Sequence, residues 1–161
     1  MKSSVDKFNQ IVGNHPKGYD GTPDEVWEQI ELQASLVLEE AKEMYEAAKN
    51  RDMVEVLDGH LDVRYTNTYM NTLLEACGVD TTKGKEEVVG NNEMKYTTNI
   101  YLALENSDEY NAKGIPTEVK ESEVEGEFYY CVKRASDGKV MKLSWHVDPD
   151  LESCVPDKWK E

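Results

Sequence analysis

Apolar residues recur at Val26, Ile30, Ala34, Val37, Ala41, Met44 and Ala48, always three or four apart. This spacing predicts one long helix with a single buried stripe. Its start is marked by "TPDE", with Thr22 as N-cap, Pro23 at the first position and Glu25 closing a capping box. The pattern runs to about Lys49 and breaks at Asn50-Arg51. Asp52 then caps a second helix whose apolar positions include Val54, Leu57, Leu61, Tyr65, Leu73 and Leu74, and Cys77-Gly78 supplies a glycine stop. A connection this short predicts that the two helices pack as an antiparallel hairpin. Residues 4–12 suggest a short helix ahead of the loop "GNHPKGYDG".

Beyond residue 80 the pattern loosens. "GKEEVVGNNEMK" predicts a helix and turn, and Ser107–Lys113 a short helix stopped by Gly114. "GEFYYCVKRASDGKVMKLSW" alternates instead, and Asp137-Gly138 is a hairpin signature. The expected fold is mainly α: a long-helix hairpin core with a small C-terminal β-hairpin. Residues 1–113 form the expected helical catalytic domain, and 114–161 a β-hairpin appendage and tail within the same domain.

Charge changes this picture most. The chain carries 33 acidic and 18 basic side chains among 161 residues, a net charge of −15. Passive binding to nucleic acid or to an anionic membrane is disfavoured, and any phosphate compound needs cations to screen its approach. Cys77, Cys131 and Cys154 are far apart and odd in number, as free thiols of a reducing cytosol are. No signal peptide and no run of ~18 apolar residues occurs, so a soluble cytoplasmic protein is expected.

Eight of the acids fall within "LEEAKEMYEAAKNRDMVEVLDGHLD": Glu39, Glu40, Glu43, Glu46, Asp52, Glu55, Asp58 and Asp62. Acid pairs three apart are cheap in so acidic a chain, but the helical frame adds information. At about 100° per residue, Glu55, Asp58 and Asp62 fall within roughly 60° of one another. Like charges so spaced destabilise an isolated helix by about 0.2–0.5 kcal/mol per pair. Glu40 and Glu43 share a face with Gln29, Gln33 and Leu36 on the first helix, whereas Glu46 points elsewhere and Asp52 caps. Folding the hairpin brings the two acidic faces together, and facing carboxylates repel unless a cation sits between them. An all-oxygen donor set on helices suits Mg²⁺ or Mn²⁺, and no calcium-binding loop pattern is present. The bland alternative is a solvated acidic surface.

His15, His60 and His146 are isolated, with His60 turned off the acidic face, and Lys42, Arg51 and Arg64 suit ion pairing. Tyr65 and Tyr69 are candidates to pack against a ligand ring, although ordinary helix packing explains each of them. No phosphate-binding glycine loop and no nucleophile elbow occurs.

"LEEAKEMYEA" followed by "DMVEVLDGHLDVRY" resembles the E-E-x-x-E … E-x-x-D pattern of all-α nucleoside triphosphate pyrophosphohydrolases of the MazG-like type. That superfamily also includes dimeric dUTPases and phosphoribosyl-ATP pyrophosphohydrolases. "GNNEMKYTTN" is similar to the N-x-x-K segment of phage and bacterial members, and "EGEFYYCVKRASDGKVMK" to their C-terminal hairpin. The resemblance spans roughly residues 22–147. It implies Mg²⁺ held by Glu40, Glu43, Glu55 and Asp58, with Asp62 as a further acid and Mn²⁺ as a substitute. It implies that Glu39 ligates or acts as base for water, that Asn92 and Lys95 reach the nucleotide or its phosphates, and that Lys95 stabilises developing charge. Gln33 and Tyr69 are the further candidates for substrate contact. The implied reaction is hydrolysis of a nucleoside triphosphate to monophosphate and pyrophosphate, by water attack at the α-phosphorus. The implied assembly is a homodimer or homotetramer in a bacterial or phage-infected cell.

The rival reading is a non-catalytic acidic helical protein that binds a basic partner or mimics nucleic acid. Convergence of Glu40, Glu43, Glu55 and Asp58 separates the two, since a mimic spreads its carboxylates. The base stays open among dUTP, dCTP, purine and damaged nucleotides and guanosine alarmones. Phosphoribosyl-ATP is disfavoured by the β tail.

Overall fold

A computed structural model describes residues 1–160. The protein is mainly helical with one small antiparallel sheet. In chain order the elements are α1 (Lys2–Ile11), α2 (Pro23–Asn50), α3 (Met53–Ala76), α4 (Thr81–Glu93), α5 (Ile100–Ala112), β1 (Thr117–Val124) and β2 (Glu127–Arg134). Two single-turn 3₁₀ segments come last, at Glu152–Cys154 and Asp157–Trp159. Among the described residues no helix is long and apolar enough to cross a membrane.

The chain divides into two compact units. Met1–Thr81 and the tail from Glu152 form the first, and Thr82–Leu151 the second. The expected boundary at 113/114 is therefore displaced. The reason lies in α5, whose polar side chains are committed to β1 and to the segment around Lys142–Ser144. Asn106 accepts a hydrogen bond from the Ser144 backbone (2.6 Å), the Ser107 and Thr117 hydroxyls lie 2.9 Å apart, and Tyr110 donates to the Lys142 carbonyl (2.6 Å). The tail returns to the first unit, where the Trp159 indole donates to the Cys77 carbonyl (2.9 Å).

In the first unit, the ends of α2 and α3 are those the sequence predicts, while α1 starts two residues earlier than expected, at Lys2. Thr22 and Glu25 form a reciprocal capping box, Arg51 ends α2 in the left-handed region (φ 60°), and the Asp52 carboxylate accepts from Val54 and Glu55 backbone N–H groups. Gln33 of α2 meets Thr66 of α3, and farther along α2 Met44 meets Gly59, so contacts move back along α3 as they advance along α2. The buried cluster is Val5, Tyr69 and Leu73, with Tyr65 packed against it.

The second unit buries Ala103, Val132 and Leu143. Its hairpin corrects the expected turn position. β1 and β2 pair from Thr117↔Arg134 to Val124↔Glu127, and the chain reverses at Glu125-Gly126, both at positive φ (53° and 84°). Two consecutive positive φ values match the right-handed twist of a two-residue hairpin, and glycine makes one of them free of strain. Asp137-Gly138 instead forms a later turn that brings Val140 back to Lys133.

Candidate metal site

The short connection at Arg51-Asp52 sets the acidic segments of α2 and α3 beside each other. They come into close backbone contact at Gly59, next in sequence to Asp58. A Cβ at position 59 would stand 2.9 Å from Met44 Cβ, 3.0 Å from its Cα and 3.1 Å from its nitrogen. Only glycine permits this spacing, because the obstructing atoms belong to the backbone and the root of a side chain. Sequence reading passed over Gly59, although a glycine inside an otherwise regular helix is the signal that finds it.

Around that contact lies a cleft of about 370 Å³ lined by Glu43, Glu46, Asp52, Glu55, Asp58 and Asp62, together with Ala47, Asn50 and Gly59. Glu46 thus belongs to the cleft and does not point elsewhere, while its carboxylate also receives Lys49 (2.9 and 3.0 Å). Glu40 is half-buried beside this group. Burial first, and then the charges of Asp62, Glu43, Glu39 and Asp58, hold its carboxyl above the usual carboxylate range. Carboxylates from both helices therefore act on one another.

The acids share a cleft without closing on a point. Among the described residues no three His, Cys, Asp or Glu side chains stand at metal-holding distance. The tight convergence expected of Glu40, Glu43, Glu55 and Asp58 is not reached, and mutual repulsion of exposed carboxylates accounts for the splay. The donor chemistry nonetheless fits a hard cation. Every charged group lining the cleft is a carboxylate, on the rigid frame of two long helices.

The other expected site residues separate. Glu39 is exposed and next to Glu40, outside the lining of the cleft. Gln33 is buried and its amide donates to the Thr66 carbonyl (2.7 Å), so it joins the helices and does not face a ligand. Tyr69 is 4% exposed and donates to the Asn14 carbonyl (3.0 Å), which commits it to the core. Both are corrections with one cause: their stripe on the helix faces inward. Tyr65 likewise packs edge-on against Phe8. Asn92 and Lys95 belong to the second unit, where Lys95 Nζ donates to Asn92 Oδ1 (2.7 Å) and both line a different cavity.

Compared with protein families, curated proteins and solved structures, the chain matches none.

Proposed function

We propose that the first unit is a Mg²⁺-dependent nucleoside triphosphate pyrophosphohydrolase centre built on an antiparallel hairpin of α2 and α3. The observation that carries this reading is the cleft in which Glu43, Glu55, Asp58 and Asp62 from both helices line one space, with Glu40 inside their electrostatic field. A solvated acidic surface does not need carboxylates drawn from two helices around a glycine contact. These five residues would hold the cation. Bound there, it offsets the charge of a triphosphate and makes water a better nucleophile. Glu39, exposed next to Glu40, would orient or deprotonate that water, for attack at the α-phosphorus. The all-oxygen donor set and the MazG-like order of motifs support this reading together.

Homo-oligomerisation belongs to the same proposal. Val54, Leu57 and Leu61 step by three and four along α3 yet are 75%, 57% and 43% exposed. Leu32, Leu38 and Tyr45 of α2 are also exposed. A second copy covering such apolar surface suits a dimer or tetramer.

Incubation of the purified chain with a panel of dNTPs and Mg²⁺ or Mn²⁺ tests the activity through pyrophosphate release. Release is expected from wild type and is expected to fall by about a hundredfold or more in Glu43→Gln and Asp58→Asn. A wild type inactive with every nucleotide under either metal overturns the proposal and leaves the acidic interaction protein as the better reading.

A further inference from the structure

The second unit contains a cavity of about 610 Å³, inside the roughly 300–1,000 Å³ range of small-molecule sites. Its floor is one face of the hairpin. Lys120, Ser122 and Val124 alternate along β1, and the register sets Cys131 opposite Lys120 and Tyr129 opposite Ser122. Asn92 at the end of α4 and the Lys95-Tyr96 segment form a wall. Thr97 and Tyr130 exchange two backbone hydrogen bonds (2.9 and 2.7 Å) that fasten this wall to β2. Val140 joins the lining through its bridge to Lys133. The cavity is thus framed by backbone pairing on two sides.

Its chemistry departs from the rest of the chain. Two ammonium groups, Lys95 and Lys120, line it, and no carboxylate does, although acids outnumber bases by 33 to 18 in the sequence. Strand alternation explains how this is achieved: Glu121 and Glu123 of β1 fall on the opposite face. Glu118 and Glu127 stand at the two ends of the floor, outside the lining, and Glu127 accepts the Tyr129 hydroxyl (2.9 Å). Among the described residues neither Lys95 nor Lys120 is in an ion pair, and Lys95 is steadied by Asn92. The Tyr96 and Tyr129 rings meet edge-on, with centroids 5.5 Å apart and planes at 84°. Aromatic walls favour a flat ring, and two unpaired ammonium groups favour an anion.

We propose that this cavity binds a small planar aromatic anion, its ring against Tyr96 and Tyr129 and its anionic group held by Lys95 and Lys120. Binding needs no metal and does not depend on the acidic cleft. A nucleoside monophosphate and an aromatic carboxylate share this chemistry, so the probes include both.

Isothermal titration of the full chain in EDTA uses adenosine and uridine 5′-monophosphates, 4-hydroxybenzoate, adenosine and inorganic phosphate. At least one of the three aromatic anions is expected to bind, with adenosine and phosphate weaker by about tenfold or more. Lys95→Gln and Lys120→Gln are each expected to weaken that ligand by about tenfold without moving the thermal midpoint, since neither side chain is buried, and Tyr96→Ala is expected to weaken it by as much. Ligand should also slow iodoacetamide labelling of Cys131, mapped apart from the buried Cys77 and Cys154. Failure of all three aromatic anions overturns the proposal, as does unchanged affinity in the Lys95→Gln/Lys120→Gln double variant. Equal binding of phosphate alone overturns the ring's role. Glu43→Gln and Asp58→Asn should leave this binding intact, so loss of pyrophosphate release and loss of the aromatic site are separately visible.

Discussion

The acidic cleft of the first unit and the tyrosine-lysine cavity of the second solve opposite electrostatic problems with the same chain composition. In the cleft, α2 and α3 bring acids together from two helices, and Glu40 beside it holds its proton more tightly, first through burial and then through their charges. In the cavity, the two-residue period of β1 sends Glu121 and Glu123 away from Lys120 and Ser122. A net charge of −15 therefore describes the molecule poorly at either place. Periodicity, and not composition, decides the local field, because a helix gathers residues three and four apart while a strand sorts neighbours onto opposite sides.

The largest expected effect is a selective response to divalent metal. Millimolar Mg²⁺ or Mn²⁺ should raise the thermal midpoint of wild type, because a ligand of the folded state stabilises it by mass action. Asp58→Asn or Glu43→Gln should abolish the shift, and Lys120→Gln should leave it whole. An equal shift in all three variants would erase the contrast between the two regions. Next comes Gly59→Ala, which forces Met44 backbone away from α3 and is expected to cost about 1–3 kcal/mol in urea unfolding, less about 1 kcal/mol regained from alanine's helix propensity. Met44→Ala should fail to rescue it, since Met44 Cβ, Cα and nitrogen are the obstructing atoms. Of similar size is Gln33→Leu, which removes the Gln33 amide from the half-buried Thr66 carbonyl and should cost about 1 kcal/mol. If Gln33→Leu instead raised KM for a nucleotide with stability unchanged, Gln33 would be a substrate contact after all.

Much of the first unit was legible because its signals are local. Thr22, Glu25 and Asp52 announce helix ends through hydrogen bonds within three residues and Pro23 through its fixed φ, and each does what its position predicts. An apolar stripe does not reveal which of its polar members are consumed by neighbours distant in sequence: the partners of Gln33 and Tyr69 are 33 and 55 residues away. The second unit was less legible for the same reason. Asn99 caps α5 through the Tyr101 N–H, so the helix begins at Ile100 and not at Ser107. Asp137-Gly138 is the stronger hairpin signal on paper, but Glu125-Gly126 takes the turn because β1 alternates ahead of it and pairs in full register with β2. The cavity depends on that register, which no local motif encodes.

Acid offers the subtlest separation of the two regions, because Glu40 beside the cleft and Asp137 of the second unit shift in opposite directions. Asp137 of the second unit accepts from Arg134 Nε (2.8 Å) and Nη2 (2.5 Å) and from the Lys139 N–H (3.1 Å). The Arg134 hydrogen bond, before any other cause, lowers its carboxyl from 3.8 to about 2. A carboxyl depressed on folding contributes stability above its unfolded value and loses it as pH falls, here between about 3.8 and about 2. Glu40 runs the other way: its folded value lies above 4.5, so it penalises the folded state at neutral pH, and that penalty is relieved as pH falls toward 4.5. Asp137→Asn should therefore lower the thermal midpoint slightly at pH 5, with the deficit vanishing near pH 2, whereas Glu40→Gln should raise it at pH 7 and lose that advantage near pH 4.5. The Asp137 effect should fade in high salt, because its pair with Arg134 is exposed. Metal affinity should fall through the range in which Glu40 takes up its proton, since proton and cation compete for the same oxygens. Melting curves of both variants from pH 7 to pH 2 at low ionic strength decide the matter, and parallel curves would show that the two regions do not differ in this respect.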